Sequence, residues 1–376
     1  MKSLESADIF CDVIDNFGDA GVSWRLARSI SAMGIAVRLW INDLSCLKHL
    51  RPLIDESLSE QALDGFTIVA WNDQTEITYL PANVVIEAFG CRLPESMIRR
   101  MSEANPSPVW INLEYLSAES WTLQSHGLPS PHPRLPITQY FFFPGFVPGS
   151  GGLLRENDLV VSRAAFHQED RHLFLKQLGI DVSNDTLLIS LFCYDHAPVD
   201  ELFQRMRHGP PTVCLVPENV AKNKLAHFLN GHLSVGSHVT DGQLTIHIIP
   251  FLDPDDYDRL LWCCDLNFVR GEDSLVRAHW AQQPFVWQLY QQESEAHLLK
   301  LAAFLELYCR DMTEQDIQTV TSFWEAWNGK SGVNLDWVSF SKALVSLAPH
   351  HRRWASRVAS VDALSTQLIR FASKIR

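Results

Sequence analysis

The sequence predicts an α/β fold of two consecutive Rossmann-like domains followed by a helical C-terminal segment. Its 376 residues are about twice the length of an ordinary domain. Short apolar runs rich in β-forming residues alternate with stretches of helical periodicity, first in one half of the chain and again in the other. This alternation is typical of parallel sheets joined by crossover helices. From His297 onward the periodicity is almost entirely helical.

Five apolar runs in the first half predict parallel strands: residues 9–14, 36–40, 66–70, 84–88 and 109–113. Apolar residues recur at helical spacing over residues 22–33 and predict the first crossover helix. The Pro- and Gly-rich span 129–152 breaks the periodicity. We therefore place the inter-domain region there, which gives a first domain of residues 1–150.

The same alternation restarts in the second half. Strands are predicted at residues 187–192, 212–216, 245–249, 266–269 and 284–288, with helices such as 169–178 and 257–264 between them. The second domain is thus expected at residues 151–350, and a C-terminal helix at 351–376 is expected to return to the first domain. Ligands of open α/β sheets bind beyond the carboxyl ends of the strands, so two such domains facing each other predict a substrate cleft.

The composition is acidic and lacks targeting features. The 44 Asp and Glu residues exceed 31 Lys and Arg, for a net charge of -13, which disfavours binding to a nucleic-acid backbone. No window approaches the roughly 18 uninterrupted apolar residues of a membrane span. We expect a cytoplasmic protein with no membrane partner. The eight cysteines lack CxxC spacing and are expected to be reduced, buried apolar residues, and no HExxH zinc motif occurs.

The first predicted strand leads into residues 15–21 (DNFGDAG), a glycine-bearing turn before a helix expected from about Val22. Asp15 and Asp19 place two carboxylates at the mouth of the sheet, where reacting groups usually lie. The alternative is structural: Asp19 caps the helix while Gly18 and Gly21 shape the turn. The glycine spacing does not match GxGxxG, which disfavours an ordinary dinucleotide site.

A second strand–turn–helix motif spans residues 267–275 (NFVRGEDSL). A helix N-terminus and Arg270 suit a diphosphate leaving group, with backbone amides and Ser274 as further donors. Two adjacent acids would repel a phosphate, so this interpretation requires Glu272 and Asp273 to face sugar or ribose hydroxyls instead. The alternative is a capped helix whose acids complement its dipole.

Aromatic and acidic residues flank the helix before this motif. Phe251 and Tyr257 would sandwich a nucleobase, or would serve as core anchors. Asp253 and Asp255 form a DxD, the spacing with which many sugar transferases hold a divalent metal. Because Pro254 starts a helix, simple capping by Asp253 is favoured over a metal site.

Seven segments resemble, in the same order, the EarP family of protein-arginine rhamnosyltransferases that act on translation elongation factor P. They are residues 15–19, 24–28, 110–119, 126–130, 142–146, 151–156 and 269–274. The matches extend over roughly residues 9–300, and their collinearity is more specific than any single motif.

The resemblance implies a GT-B fold, with dTDP-β-L-rhamnose as donor, an arginine of the elongation factor as acceptor, and inversion at the anomeric carbon. The modification would activate the factor for relief of ribosome stalling. No cofactor and no metal are implied. Asp19 would be the general base, with Asp15 and Glu272 supporting catalysis. Donor contacts are assigned to Asn16, Phe17, Gly18, Tyr194, Phe251, Tyr257, Arg270, Gly271, Asp273, Ser274 and Tyr290. Pro254 stands where the family usually has Gln.

Two other functions fit the same sequence. One is a GT-B transferase that uses another nucleotide sugar or another acceptor. The other is a non-catalytic protein that binds a nucleotide and a translation factor without turnover.

Overall fold

The computed structural model describes residues 4–14, 17–72, 74–183, 185–228, 231, 234–291 and 295–376. The chain divides into two compact units. The first unit comprises Met1–Asn157 together with Val358–Arg376, and the second unit comprises Asp158–Arg357. Both divisions therefore fall a few residues after the positions expected from the sequence, 150 and 350.

The first unit contains β1 (Ser6–Cys11), α1 (Phe17–Ser31), β2 (Ala36–Ile41), α2 (Leu44–Leu50), β3 (Glu60–Leu63), β4 (Phe66–Ala70), β5 (Val84–Ala88), α3 (Glu95–Glu103), β6 (Val109–Leu113), α4 (Trp121–Ser125), β7 (Pro129–Pro131) and β8 (Thr138–Phe142). Its strands form one sheet in the order β3-β4-β2-β1-β5-β6-β8-β7. The six inner strands are parallel. The edge strands β3 and β7 pair antiparallel.

The sheet region of the second unit contains α5 (Leu159–Ala165), α6 (Gln168–Gln177), β9 (Leu187–Leu191), α7 (Val199–Met206), β10 (Thr212–Pro217), α8 (Lys222–Phe228), β11 (His238–Asp241), β12 (Leu244–Ile249), α9 (Pro254–Cys263), β13 (Leu266–Arg270), α10 (Asp273–Ala281) and β14 (Phe285–Gln288). Its helical end contains α11 (Ala296–Tyr308), α12 (Glu314–Trp327) and most of α13 (Trp337–Ala359). The last helix, α14 (Leu364–Ile375), belongs to the first unit. The sheet order is β11-β12-β10-β9-β13-β14, parallel except at β11. These two sheets and the helical end of the chain agree with the fold predicted from the sequence.

Strands buried on both faces were the easiest to predict. The predicted runs 66–70, 84–88 and 109–113 coincide with β4, β5 and β6, and every residue of β5 and β6 is buried. β1 lies three residues earlier than predicted. The span 129–152, read as a break in periodicity, contains the edge strand β7 and its partner β8.

Sheet growth reverses direction once in each unit. In the first, the chain adds β2 and β4 on one side of β1 and then β5, β6 and β8 on the other. In the second, β10 and β12 lie on one side of β9, and β13 and β14 on the other. The loops that leave β1 and β5, and those that leave β9 and β13, therefore diverge at the carboxyl edge. Such a switch point is where open α/β sheets bind ligands.

Aromatic rings and histidines fill the helical layer over β14 in the second unit. Phe285 of β14 contacts Trp324 of α12 and His351 of α13, with ring centroids 5.5 and 4.9 Å apart. Tyr308 of α11 stacks on Trp324 at 5.6 Å and donates to or accepts from His351. The helical segment predicted from His297 onward therefore covers the edge of the second sheet. Within the described residues, no helix has the length and apolar character needed to cross a bilayer.

The C-terminal helix α14 packs in the first unit against α1. The Ser29 and Ser365 hydroxyl oxygens lie 2.8 Å apart in a buried position. The Leu364 N–H donates to the Leu153 carbonyl at 2.9 Å. Next to Leu153, the backbone at Gly152 has a positive φ of +73°. A Cβ atom at Gly152 would lie 2.2 Å from the Asp362 carbonyl oxygen.

We expect Gly152→Ala to lower the free energy of unfolding of the first unit far more than Gly149→Ala. Both glycines have positive φ, which costs an L-residue roughly 1 to 2 kcal/mol. Only Gly152 also meets backbone, a clash that adds roughly 1 to 3 kcal/mol. Chemical unfolding of both variants measures the difference. Equal losses would show that the chain segment before α14 does not approach Gly152 closely.

Candidate active site

Asp19 lies at the switch point of the first sheet. It occupies the first turn of α1, is 3% exposed, and accepts the Ile14 N–H at Oδ2 over 2.9 Å. Because α1 begins at Phe17 rather than near Val22, Asp19 is the third helical residue, and the structural alternative that it is the N-cap is excluded. Gly18 likewise lies within the helix rather than in a turn.

Three further predicted site residues, Asp15, Asn16 and Phe17, lie shortly before Asp19 in sequence. Asp15 and Asn16 lie outside the described residues. Phe17 packs its ring against His49 with a centroid distance of 5.8 Å. The catalytic role of Asp15 and the donor contact of Asn16 stay predictions.

Glu87 and Asn112 add polar groups to the same edge of the sheet. Neither residue was predicted from the sequence to belong to the site. They are register partners on β5 and β6. Glu87 Oε2 accepts the Trp110 Nε1–H at 3.1 Å and a Gln139 Nε2–H at 2.6 Å. Burial, augmented by the Glu114 charge, nevertheless raises the pKa of Glu87 to about 7.

The amide of Asn112 is held at one end only. Its Nδ2 donates to Glu114 Oε1 at 2.8 Å. Its buried Oδ1 has no hydrogen-bond partner within the described part of the chain. The carboxyl edge of the first sheet thus carries three carboxyl groups, those of Asp19, Glu87 and Glu114, and one unsatisfied acceptor. These groups suit a cationic, hydrogen-bond-donating ligand.

Arg270 lies at the switch point of the second sheet, as the last residue of β13. Its Cζ is 4.4 Å from the ring centroid of Phe192 and 4.7 Å from that of Tyr194. Nη1 donates to the Cys193 carbonyl at 3.1 Å. The two rings follow β9 directly, so neighbouring strands hold the guanidinium by cation–π contacts. Sequence reasoning had assigned Tyr194 but missed Phe192.

The turn after Arg270 is held by Ser274. The hydroxyl of Ser274 accepts the Arg270 N–H at 3.0 Å and donates to the Arg270 carbonyl. Gly271 has φ of +60°, Glu272 is the residue before α10, and the helix begins at Asp273. The Ser274 side chain therefore stabilises the turn, and the first-turn amides of α10 form the potential anion site.

Tyr194 and Tyr290 meet beside this turn. Their rings contact edge-on at 5.6 Å, and Tyr290 is 57% exposed. The Tyr194 N–H donates to Gln288 Oε1 at 2.8 Å. Gln288 is fully buried, and its Nε2 has no partner among the residues that the structure describes. Gln288 carried no sequence signal because it lies inside an apolar strand.

The family model described as Elongation-Factor P (EF-P) rhamnosyltransferase EarP matches residues 7–373. This chain belongs to the EarP family. A protein-arginine rhamnosyltransferase of Pseudomonas putida is 42% identical over 369 residues, which are 97% of each chain. The family prediction is confirmed, and the chain is a rhamnosyltransferase by membership.

Solved structures agree with this assignment. One that concerns EarP-mediated arginine glycosylation of translation elongation factor EF-P is 32% identical, with a TM-score of 0.68 over 98% of this chain and 99% of that one. The spinosyn rhamnosyltransferase SpnG, complexed with thymidine diphosphate, shares the fold at a TM-score of 0.52 and 10% identity, covering 97% and 98%. The predicted GT-B fold is confirmed.

Phe251 and Tyr257 occupy different surroundings in this EarP-family chain. Tyr257 packs against the second unit's core and edge-on against Phe192 at 5.8 Å. Burial raises the pKa of its hydroxyl, so the phenol stays protonated. The Phe251 N–H donates to Glu218 Oε1 at 3.2 Å. Tyr257 is thus a core anchor, and contact of either ring with a nucleobase stays a prediction.

Asp253 caps α9 as predicted. Its Oδ1 accepts the N–H groups of Asp255 at 3.0 Å and Asp256 at 2.9 Å, with Pro254 at the helix start. Within the described ranges, no group of three or more His, Cys, Asp or Glu side chains is arranged to hold a metal. All eight cysteines are free and buried, as expected.

We expect Glu87→Gln to change the pH dependence of stability. Because the folded-state pKa of Glu87 lies near 7, above the 4.5 of an ordinary carboxyl, its contribution is complete below about pH 4.5 and is lost as pH rises through 7. The variant, neutral throughout, should gain on the native protein by up to about 1.4 kcal/mol per pH unit in that window.

Urea unfolding at pH 5, 6, 7 and 8 measures this difference. The exposed Glu103 at the end of α3 provides the control, since Glu103→Gln should show no such trend. Parallel stability curves for Glu87→Gln and the native protein would mean that Glu87 is ionised in the fold at neutral pH.

Proposed function

We propose that this chain transfers L-rhamnose from dTDP-β-L-rhamnose to an arginine of translation elongation factor P, with inversion at the anomeric carbon and in the cytoplasm. One observation carries the proposal beyond family membership. The switch point of the first sheet is lined by carboxyl groups, and that of the second by a guanidinium between two aromatic rings. The first suits a cationic acceptor and the second an anionic donor.

The acceptor chemistry requires carboxylates. A guanidinium has a pKa above about 12 and is a poor nucleophile until a proton is removed. The Asp19 carboxylate, oriented by the Ile14 N–H, takes that proton as the bond between nitrogen and the anomeric carbon forms. Glu114, held by Asn112, binds the planar fork by charge-assisted hydrogen bonds, and Asp15 supports it.

The donor chemistry requires positive charge at the diphosphate. As the bond between the anomeric carbon and the diphosphate oxygen breaks, negative charge collects on the departing dTDP. Arg270 and the first-turn amides of α10 provide fixed compensation for that charge. Glu272 stabilises the positive charge that develops on the sugar. These groups make a metal ion unnecessary in the proposed mechanism.

The remaining donor contacts complete the proposed site. Tyr194 and Tyr290 border the diphosphate with Arg270. Contacts of Phe251 and Tyr257 with the thymine stay predictions. Ser274 acts through the turn that it holds. Asn16, Phe17, Gly18, Gly271 and Asp273 retain their predicted contacts with the donor.

Intact mass spectrometry tests the proposal. Elongation factor P mixed with the protein and dTDP-rhamnose should gain the mass of one deoxyhexose, located on an arginine by fragmentation, in buffer with or without excess EDTA. A mass gain seen only with another nucleotide sugar would favour a GT-B transferase that uses a different donor. Retained binding of the factor without turnover would favour the non-catalytic partner. Loss of activity in EDTA, restored by magnesium, would overturn the metal-free mechanism.

We expect Asp19→Asn to lower kcat by on the order of 10² or more while dTDP affinity stays unchanged, because a general base is lost and the nucleotide site is not. Asp43→Asn is the control: Asp43 caps α2 in the same unit through the Cys46 N–H, and Asn also caps helices well. A parallel loss of dTDP affinity in Asp19→Asn would make Asp19 a donor-binding residue instead.

We expect Arg270→Ala to weaken dTDP binding by about tenfold or more, since a charge-assisted contact to the diphosphate is removed. Arg259→Ala removes an exposed arginine of α9 that pairs with Asp256 and should leave affinity unchanged. Calorimetry with dTDP alone measures both variants. Equal affinities would exclude Arg270 from the diphosphate site.

A further inference from the structure

A polar pocket lies in the second unit, at the opposite edge of the sheet from Arg270. Its volume is about 300 Å³. Thr186, Asp265 and Gln283 line it, and they precede β9, β13 and β14 respectively. The pocket therefore opens at the amino-terminal ends of the strands whose carboxyl ends carry the proposed donor site. Nothing in the proposed reaction uses it.

Two arginines line this pocket from adjacent helices. Arg163 Nε donates to the carbonyl of Ala281, the last residue of α10, at 2.9 Å. Arg171 Nε donates to the carbonyl of Cys263, the last residue of α9, at 2.8 Å. Each arginine thus caps the C-terminus of a helix, which is a sufficient structural reason for one N–H. A guanidinium has five N–H donors, so four on each arginine are left for other partners.

Neither arginine forms an ion pair with a carboxylate in the part of the chain that the structure describes. Among the described residues, neither Arg163 nor Arg171 has an acidic oxygen within 4.0 Å. Asp265, the one carboxyl group among the lining residues, is buried and accepts the Leu188 N–H at 2.8 Å. Burial raises the pKa of Asp265, although the Leu188 N–H and the Arg171 charge oppose that shift.

The surroundings of Arg163 increase its need for an anion. Its Cζ lies 5.9 Å from the Trp262 ring, and Trp262 packs edge-on against Phe166. Burial lowers the pKa of Arg163, which reflects the cost of partly removing a charge from water without a counter-ion. Arg171 faces the same pocket. An anion between these groups would regain what desolvation removes.

We propose that this pocket binds a small tetrahedral oxyanion of the phosphate class through Arg163 and Arg171. The planar N–H forks match such oxygens. The hydroxyls of Ser183 and Thr186, which line the pocket, pair with each other at 2.8 Å and leave one O–H as a further donor. The volume suits a small hydrated anion and lies at the low end for larger ligands. Bound to the folded chain alone, the anion stabilises the second unit by mass action.

Phosphate titration at constant ionic strength tests the site in protein saturated with dTDP, so that the donor site is occupied. Phosphate and sulfate should raise Tm and give a saturable calorimetric signal, whereas chloride should do neither. Arg163→Gln and Arg171→Gln should each weaken phosphate affinity about tenfold, the scale of one lost charge-assisted contact. The exposed Arg259→Gln should not change it.

Both variants should keep dTDP affinity and transfer activity, which shows that they are folded. Should Arg163→Gln unfold, Arg163→Lys keeps the charge without the planar fork and should bind phosphate more weakly than the native protein. Equal phosphate affinity in all variants, or an equal response to chloride, would mean an adventitious ion only and would overturn the site.

Discussion

The reversal of sheet growth beside β1 and beside β9 is the constraint on which the rest of the structure depends. A parallel sheet forces every connection to return to the amino end of the next strand, so its carboxyl edge collects loops. Where growth reverses, neighbouring loops diverge and leave room. Asp19 follows β1, while Phe192 and Tyr194 follow β9 and face Arg270 at the end of β13. The site residues are thus placed by topology before any side-chain contact forms.

Charge separates the two switch points. The first carries Asp19, Glu87 and Glu114, while the second carries Arg270 and a helix N-terminus. The proposed reaction begins with a cationic nucleophile and releases an anionic diphosphate, so each edge complements one reactant. The carboxyl groups of the first edge do not all carry the same charge. Glu87 is a buried carboxyl with its pKa near 7, which softens the charge of an edge that would otherwise repel itself.

Sequence reasoning succeeded where local signals were strong. Parallel strands buried on both faces read as continuous apolar runs, and this is why β4, β5 and β6 were predicted to the residue. The Asp253 cap was predicted because proline at the first helical position defines a helix start. The family was recognised from collinear segments rather than from any single motif.

The failures have equally local causes. The strand β7 was missed because prolines are tolerated at a sheet edge and there resemble a loop, and its partner β8 was missed because it lies within the same Pro- and Gly-rich span. The start of α1 was placed too late because Gly18 resembles turn residues, although it lies in the helix. Glu87, Asn112 and Gln288 were missed for a different reason. The role of a polar residue in a buried strand cannot be predicted until its cross-strand neighbours are known.

Two buried amides show how the fold prepares each edge. Asn112 near the end of β6 fixes Glu114 with its Nδ2, and Gln288 at the end of β14 fixes the Tyr194 backbone with its Oε1. Each amide thus holds a group that the proposed reaction uses. In the first unit, that group is a carboxylate that would bind the cationic acceptor. In the second unit, it is the backbone of Tyr194, whose ring contacts the Arg270 guanidinium that would face the anionic donor. Buried amides inside the strands therefore fix the groups that stand at each carboxyl edge.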